Sequence, residues 1–265
     1  MFGSKTDHAW EYYGKTDPYF GVLTASAFKT DQLTDDSKRE FFATGEDYVR
    51  SLFESIDRHF DSEFRPRRAL DFGCGVGRLA IPFAQRSSEV VAVDVSASML
   101  LTAEQNAKAY GLPNLTFVKG DDTLSRVSGT FDFVHSFIVF QHIPTPRGYV
   151  LFERLIDLLR EDGIGALHFT FSYASPVSMR RRFLTRVLHQ VPAANMVRNF
   201  LGGRPLREPL MQMNEYDMNH LLLILARRGC HDVHVRFSET SVHGREFYGA
   251  TLVFRKRPLD IRAHA

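Results

Sequence analysis

The feature that most restricts how this chain can fold is the run Arg68-Ala69-Leu70-Asp71-Phe72-Gly73-Cys74-Gly75-Val76-Gly77-Arg78. Its first five residues read as a short buried strand. Three alternating glycines follow, and Leu79 to Gln85 then opens a helix in spite of Pro82, because proline is tolerated in a first turn. Glycines at such a turn let the backbone reverse sharply and bring its amides close to a ligand. Many nucleotide binders and some purely structural turns share this element, so its meaning depends on what the next strands present.

Glu89–Asp94 is a second strand rich in β-branched residues, followed by Ser96 as N-cap of a helix through about Tyr110. Leu115–Lys119 and Phe131–Ser136 read as strands three and four. The loop Phe137–Pro144, a helix through Leu159 stopped at Asp162-Gly163, and a fifth strand Ile164–Phe171 come next. Strands alternating with helices require a parallel sheet joined by right-handed crossovers. A helix near Tyr216–Arg228 and strands near Val233–Phe237 and Gly249–Arg255 complete the pattern, the last two pairing as an antiparallel edge.

Upstream, Phe41, Phe42, Tyr48, Val49, Leu52, Phe53 and Ile56 recur at helical spacing between Lys38 and Phe60, broken by Gly45 near the start. Residues 1–37 are rich in aromatics and turn formers, with a turn at Asp17-Pro18. The expected fold is α/β and doubly wound. It has a mostly parallel seven-stranded sheet with an antiparallel edge strand, an N-terminal aromatic and helical cap, and an insertion after the fifth strand. Residues 1–60 are then cap and helix, and residues 61–265 the core, with a basic amphipathic insertion at about 175–210.

The 265 residues suffice to bury a full core, and 44% hydrophobic with 24% charged residues is ordinary globular composition. Lysine and arginine number 33 against 31 acidic residues, so a net charge of +2 does not by itself indicate nucleic-acid binding. Only Cys74 and Cys230 are present, far apart in sequence, which argues against a disulfide scaffold or cysteine-rich zinc site and fits a reducing compartment. The N-terminus lacks the apolar core of a signal peptide, and no apolar run is long enough to span a bilayer. A cytoplasmic location is expected, with peripheral contact at a membrane surface left open.

Two further features join the glycine turn. Asp94, 21 residues after Gly73, ends the second strand where a carboxylate can accept both hydroxyls of an adenosine ribose. A helix-capping aspartate is the other reading, but Ser96 fills that role better. Gly120-Asp121-Asp122 after the third strand offers a carboxylate to an adenine amino group. The three features fall at the ends of three successive strands, where an open α/β sheet places its binding crevice. The glycine spacing departs from the G-x-G-x-x-G of dinucleotide binders.

Asp71-Phe72-Gly73-Cys74-Gly75-Val76-Gly77 resembles the D/E-x-G-x-G-x-G signature of class I S-adenosylmethionine-dependent methyltransferases, a likeness covering about residues 68–172. Ser136-Phe137-Ile138-Val139-Phe140-Gln141-His142-Ile143-Pro144 is similar to the loop of the small-molecule branch, where a His-Ile-Pro element often follows. The resemblance implies that S-adenosylmethionine is the cofactor. It also implies that the glycine loop contacts the methionine portion, Asp94 holds the ribose, and Asp121, or Asp122 in its place, binds adenine. Asp71, Gly73, Cys74, Gly75, Gly77 and Arg78 form the expected cofactor site with Val95, Met99, Ser136 and Phe137.

Methyl transfer is an in-line displacement at a carbon already activated by sulfonium, so the protein mainly positions donor and acceptor, and a base is optional. His142 is the candidate base, because its ordinary pKa lies near neutrality and its loop should face the donor; a histidine that only packs or hydrogen-bonds the loop is the competing reading. No clustered ligand spacing stands out, so no metal is expected. The fourth-strand loop lacks the Asn/Asp-Pro-Pro-aromatic signature, so no DNA partner is expected. Trp10, Tyr12, Tyr13 and Tyr19 either close over the donor or belong to ordinary core.

From Val177 to Arg207 lie seven arginines (Arg180, Arg181, Arg182, Arg186, Arg198, Arg204 and Arg207), interleaved with apolar residues and free of Asp and Glu. The segment can be a cap over an acidic or phosphate-bearing acceptor, a membrane-surface contact for a lipid-linked acceptor, a dimer interface, or simply a solvated face. The leading function is methyl transfer to a small-molecule acceptor, preferably an oxygen of a sugar, isoprenoid or secondary metabolite. The alternatives are N-methylation of a small molecule or RNA, and a non-catalytic S-adenosylmethionine-binding regulatory or interaction protein.

Overall fold

The computed structural model describes residues 5–60, 63–173, 192–203, 205–242 and 245–257. In chain order the elements are α1 (Lys5–Thr16), α2 (Pro18–Val22), a 3-10 turn (Ser26–Phe28), α3 (Asp35–His59), β1 (Arg68–Phe72), α4 (Ala80–Ala84), β2 (Glu89–Asp94) and α5 (Ala97–Ala109). Then follow β3 (Leu115–Lys119), β4 (Phe131–Ser136), a 3-10 turn (Phe140–His142), α6 (Thr145–Leu158), β5 (Leu159–Tyr173), α7 (Pro192–Leu201), α8 (Met218–Arg227), β6 (Asp232–Val242) and β7 (Arg245–Arg255).

The strands form one sheet in the order β3-β2-β1-β4-β5-β7-β6. β1 pairs in parallel with β2 and β4, and the parallel set extends to β3 and β5. The antiparallel strand is β7, which lies between β5 and β6, so the closing hairpin is inserted and β6 is outermost. Alternation along β1 and β4 divides the core. Leu70 and Val134 pack beneath α6 and α8, while Ala69 and Phe133 pack beneath α3 and α4.

Local chemistry sets most boundaries. Thr34 and Ser37 form a reciprocal cap at the start of α3, and Ser96 Oγ accepts the Met99 amide at the start of α5. Gly45 does not break α3: its missing side chain admits Arg78, whose carbonyl oxygen would lie 2.3 Å from a Cβ there. β5 begins at Leu159, earlier than the sequence pattern suggests, and Asp162, with φ +60°, marks a kink within the strand where the pattern reads a stop.

Asp17 and Pro18 start α2 and do not form an isolated turn. The cap packs as a third core, in which Tyr13, Tyr19 and Phe28 meet Phe41, Phe42, Val76, Ile81 and Met99. Of the arginine-rich insertion, Arg180, Arg181, Arg182, Arg186 and Arg204 lie outside the described residues. Its described helix, α7, exposes Met196, Val197, Phe200 and Leu201. No helix among the described residues is long and apolar enough to cross a membrane.

Candidate functional site

Strand order reverses between β1 and β4, and a cavity opens there at the carboxyl ends of the strands. Gly73, Gly75 and Gly77 all have positive φ (+78°, +53° and +89°), so the turn needs glycine on backbone grounds alone. Space imposes a second demand. A Cβ on Gly73 would lie 2.3 Å from Val139 Cγ2, and one on Gly75 would lie 2.6 Å from Val22 Cγ2. The turn's amides are already engaged: those of Gly73 and Cys74 donate to the Val93 carbonyl, and that of Gly75 donates to Asp94. The turn therefore offers a ligand room more than free donors.

Asp94 accepts the Gly75 amide on Oδ2 and the Ser96 amide on Oδ1, both at 2.9 Å. Burial pushes its carboxyl up to about 6, outweighing those two hydrogen bonds. Each oxygen keeps lone-pair capacity toward the cavity that the residue lines.

Asp71 is 2% exposed; His135 Nδ1 lies 2.8 Å from its Oδ1, and its Oδ2 has no partner among the described residues. Arg78 is 6% exposed, and its Nε is likewise without a partner. Both residues line the cavity, so a buried carboxylate and a buried guanidinium there each hold an unfilled hydrogen-bonding atom. Desolvation lowers Arg78 to about 10, which leaves it charged at neutral pH.

Cys74, Val95, Met99, Asp121 and Phe137 also line this cavity. Burial pushes the Cys74 thiol well up, so it is an inert wall. Asp121 contributes to the wall, but its carboxylate accepts the amides and hydroxyls of both Thr123 and Ser125, which hold it well below the usual carboxylate range.

Three expected residues fall outside the wall. Gly77 packs toward Ala103 of α5, Asp122 pairs with Arg147, and Ser136 is fully buried within β4. Wall residues that sequence reasoning did not single out include Thr6, Asp7, Val22 and Arg147. Arg147 ties the two ends together by donating to Asp7 of α1 and to Asp122.

His142 stands between this cavity and a second one of about 370 Å³, and Thr6 and Trp10 are shared by both walls. The imidazole is held on each side. Nδ1 lies 2.7 Å from the Gln212 carbonyl, so Nδ1 carries the proton, and Nε2 accepts from the Gln141 amide at 3.1 Å. Thr170 donates to Gln141 Oε1 and fixes that amide's orientation. Trp10 meets the imidazole edge-on at 4.9 Å between ring centres. Burial lowers His142 to about 4, so it is neutral at physiological pH.

The second cavity is bounded by α1, by Asn195 and Met196 of α7, and by the segment Leu206 to Gln212. Of the four aromatics proposed as a lid, Trp10 alone lines the first cavity; Tyr19 is buried on Asn106, and Tyr13 donates to the Pro209 carbonyl and walls the second cavity. Tyr12 packs edge-on against Tyr13. Glu11 joins the cap to the start of α5, accepting from Ser96 Oγ, Ser98 Oγ and the Ser98 amide. Among the described residues no cluster of His, Cys, Asp and Glu is placed to hold a metal ion.

Residues 69–163 match the family described as a methyltransferase domain. Over 146 residues the chain is 30% identical to the tRNA 5-carboxymethoxyuridine methyltransferase of Escherichia coli K12, covering 52% of this chain and 55% of that protein. It is 31% identical over 96 residues to the ubiquinone biosynthesis O-methyltransferase of Chromobacterium violaceum, covering 36% and 40%. The chain thus spans about half the length of the curated relatives it matches.

Among solved structures, magnesium protoporphyrin IX methyltransferase from Synechocystis PCC 6803 with bound S-adenosylmethionine aligns at a TM-score of 0.59 and 19% identity, over 95% of this chain and 98% of that one. The N-methyltransferase NodS from Bradyrhizobium japonicum WM9, in complex with S-adenosylhomocysteine, aligns at 0.58 and 13% identity, over 96% and 99%. The shared architecture is the class I methyltransferase fold.

Proposed function

We propose that this chain, whose residues 69–163 match the methyltransferase-domain family, transfers a methyl group from S-adenosylmethionine to a small-molecule acceptor, preferentially at an oxygen. The observation that carries the reading is the meeting of two cavities at Thr6, Trp10 and His142. A nucleoside donor on the glycine-turn side and an acceptor on the α7 side would face each other across one imidazole and one indole.

The residues present fit the donor part by part. Asp94 retains capacity to accept from both ribose hydroxyls, and Met99 with Val95 supplies an apolar wall. Asp71 Oδ2 and Arg78 Nε are buried and unfilled beside the same cavity, as an ammonium and a carboxylate of an amino-acid group require. Asp121 would serve adenine through its position in the wall, since its carboxylate is spent on the following turn.

When bound, the donor supplies a sulfonium-activated methyl carbon. The chain's own work is alignment and exclusion of water, which Trp10 and the apolar side chains of the second cavity provide. His142 presents a neutral Nε2 that accepts a hydrogen bond, now from Gln141. An acceptor hydroxyl would exchange for that amide, be oriented by it, and pass on its proton as the new bond forms. With a pKa near 4 the imidazole is a weak base, so orientation is its larger role.

A second cavity of about 370 Å³, walled by apolar side chains such as Trp10, Leu206 and Met211 together with His8, Asn195 and Arg207, favours a compact acceptor over an RNA strand, although one relative is named for a tRNA substrate. The test incubates the purified chain with labelled donor and, separately, a small-molecule extract and a tRNA pool. Label in an organic-soluble small product supports the reading. Label in tRNA overturns the acceptor class, and label in neither fraction, with S-adenosylhomocysteine still bound, favours a regulatory binder.

A further inference from the structure

Three side chains, Thr251, Tyr48 and His135, form a row that leads to Asp71 of the cavity wall, Tyr48 half-buried and the other two buried. Thr251 on β7 hydrogen-bonds the Tyr48 phenol of α3. The phenol oxygen lies 3.1 Å from His135 Nε2, and His135 Nδ1 lies 2.8 Å from Asp71 Oδ1. His135 is fully buried in β4, and Thr251 is 5% exposed.

The row has one consistent direction. A carboxylate accepts from His135 Nδ1, and in the neutral imidazole Nε2 then accepts, which makes Tyr48 the donor to Nε2. Asp71 therefore receives the last bond of the row on Oδ1, while Oδ2 remains unfilled in a residue of the cavity wall. Bonds aligned in this way polarise one another where water is excluded. Phe83 and Phe133 enclose the imidazole, and Phe137, itself a wall residue, lies on the Tyr48 ring at 4.1 Å.

We infer that Tyr48 and His135 are positioning residues, which hold the Asp71 carboxylate in the one rotation that leaves Oδ2 for the ammonium of the donor's amino-acid group. The inference rests on the donor reading above. Neither side chain touches the donor. A carboxylate released from the row would rotate toward Arg78, the buried cation nearby, and the two groups meant for opposite ends of a zwitterion would neutralise each other.

The test compares two ligands by calorimetry: S-adenosylhomocysteine, and methylthioadenosine, which has the same nucleoside and thioether but no amino-acid group. Tyr48→Phe keeps the ring against Phe137 and removes only the hydroxyl. The expected result is about tenfold weaker binding of S-adenosylhomocysteine with methylthioadenosine unchanged. In an Asp71→Asn background the effect of Tyr48→Phe should vanish, because the carboxylate it positions is gone.

Equal losses for both ligands would make Tyr48 an ordinary packing residue and overturn the inference, as would full additivity with Asp71→Asn or no change for either ligand. Wild-type protein that binds neither nucleoside would overturn the donor reading, and the inference with it. Should Tyr48→Phe fail to fold, His135→Leu, which removes both the acceptor for Tyr48 and the N–H for Asp71, gives the same comparison.

Discussion

Asp94 performs two tasks with the same two oxygens. It holds the Gly75 and Ser96 amides that shape the crevice, and in the proposed function it also receives the ribose. Hydroxyls donate best to an ionised carboxylate, and burial has raised this one to about 6. Affinity for S-adenosylhomocysteine should therefore fall as pH drops through about 6, by up to tenfold per unit, and level off above neutrality. Asp94→Asn should bind more weakly and lose that dependence; a wild-type profile flat across this range, by titration calorimetry, would remove Asp94 from the ribose. His142→Phe should lower kcat by about a hundredfold while leaving donor affinity nearly unchanged, measured with any acceptor the labelling screen finds.

At the scale of elements, the join between α1 and α5 depends on Glu11. Burial works against its charge, yet Ser98 and Ser96 outweigh that and hold the carboxyl at about 2. Glu11→Ala should weaken the cap's seating by about 1 kcal/mol, the partial exposure of the group reducing what its hydrogen bonds contribute. The readout is faster proteolysis within residues 5–22 and a severalfold faster release of S-adenosylhomocysteine. Because Ser96 Oγ still caps α5 through Met99, helix content should not change.

This join also separates what was legible in the sequence from what was not. α5 was legible because Ser96, the β-branched strand before it and the Gly111 turn after it are all local signals. The early start of β5 was hidden because Asp162 and Gly163 look like a stop and instead form a kink within the strand. The glycine turn was legible as a turn, but its contacts with Val22 and Val139 were not, because each crosses more than 50 residues of sequence. Arg147 was hidden for a similar reason, since its partners Asp7 and Asp122 lie 140 and 25 residues away in separate segments. Trp10 looked no different from Tyr13 and Tyr19, and packing alone sorted it into the first cavity's wall.

At the scale of the whole molecule, two buried neutral histidines work against folding in acid, offset in part by Asp94, whose raised carboxyl binds its proton more readily in the folded chain. His142 and His168 are each lowered by burial from 6.5 to about 4. Unfolding exposes them to water, where they bind protons more readily, so their contribution to stability is complete above about 6.5 and is lost progressively as pH falls toward 4. Urea midpoints should fall across that window, and the double variant His142→Gln/His168→Gln should show a shallower slope whatever its stability at neutral pH. Equal slopes would mean that these imidazoles are hydrated in the folded chain.

Thr6 and Trp10 belong to the walls of both cavities, so one short helix, α1, is common property of the two. Ordering α1 against either ligand leaves less freedom to be lost when the other arrives, and such coupling is reciprocal by thermodynamic necessity. With donor and acceptor placed as proposed, the two sites would be heterotropically linked. In the proposed function, a spent donor that stays bound would keep the acceptor side organised, and departure of the methylated product would loosen the helix that retains the donor.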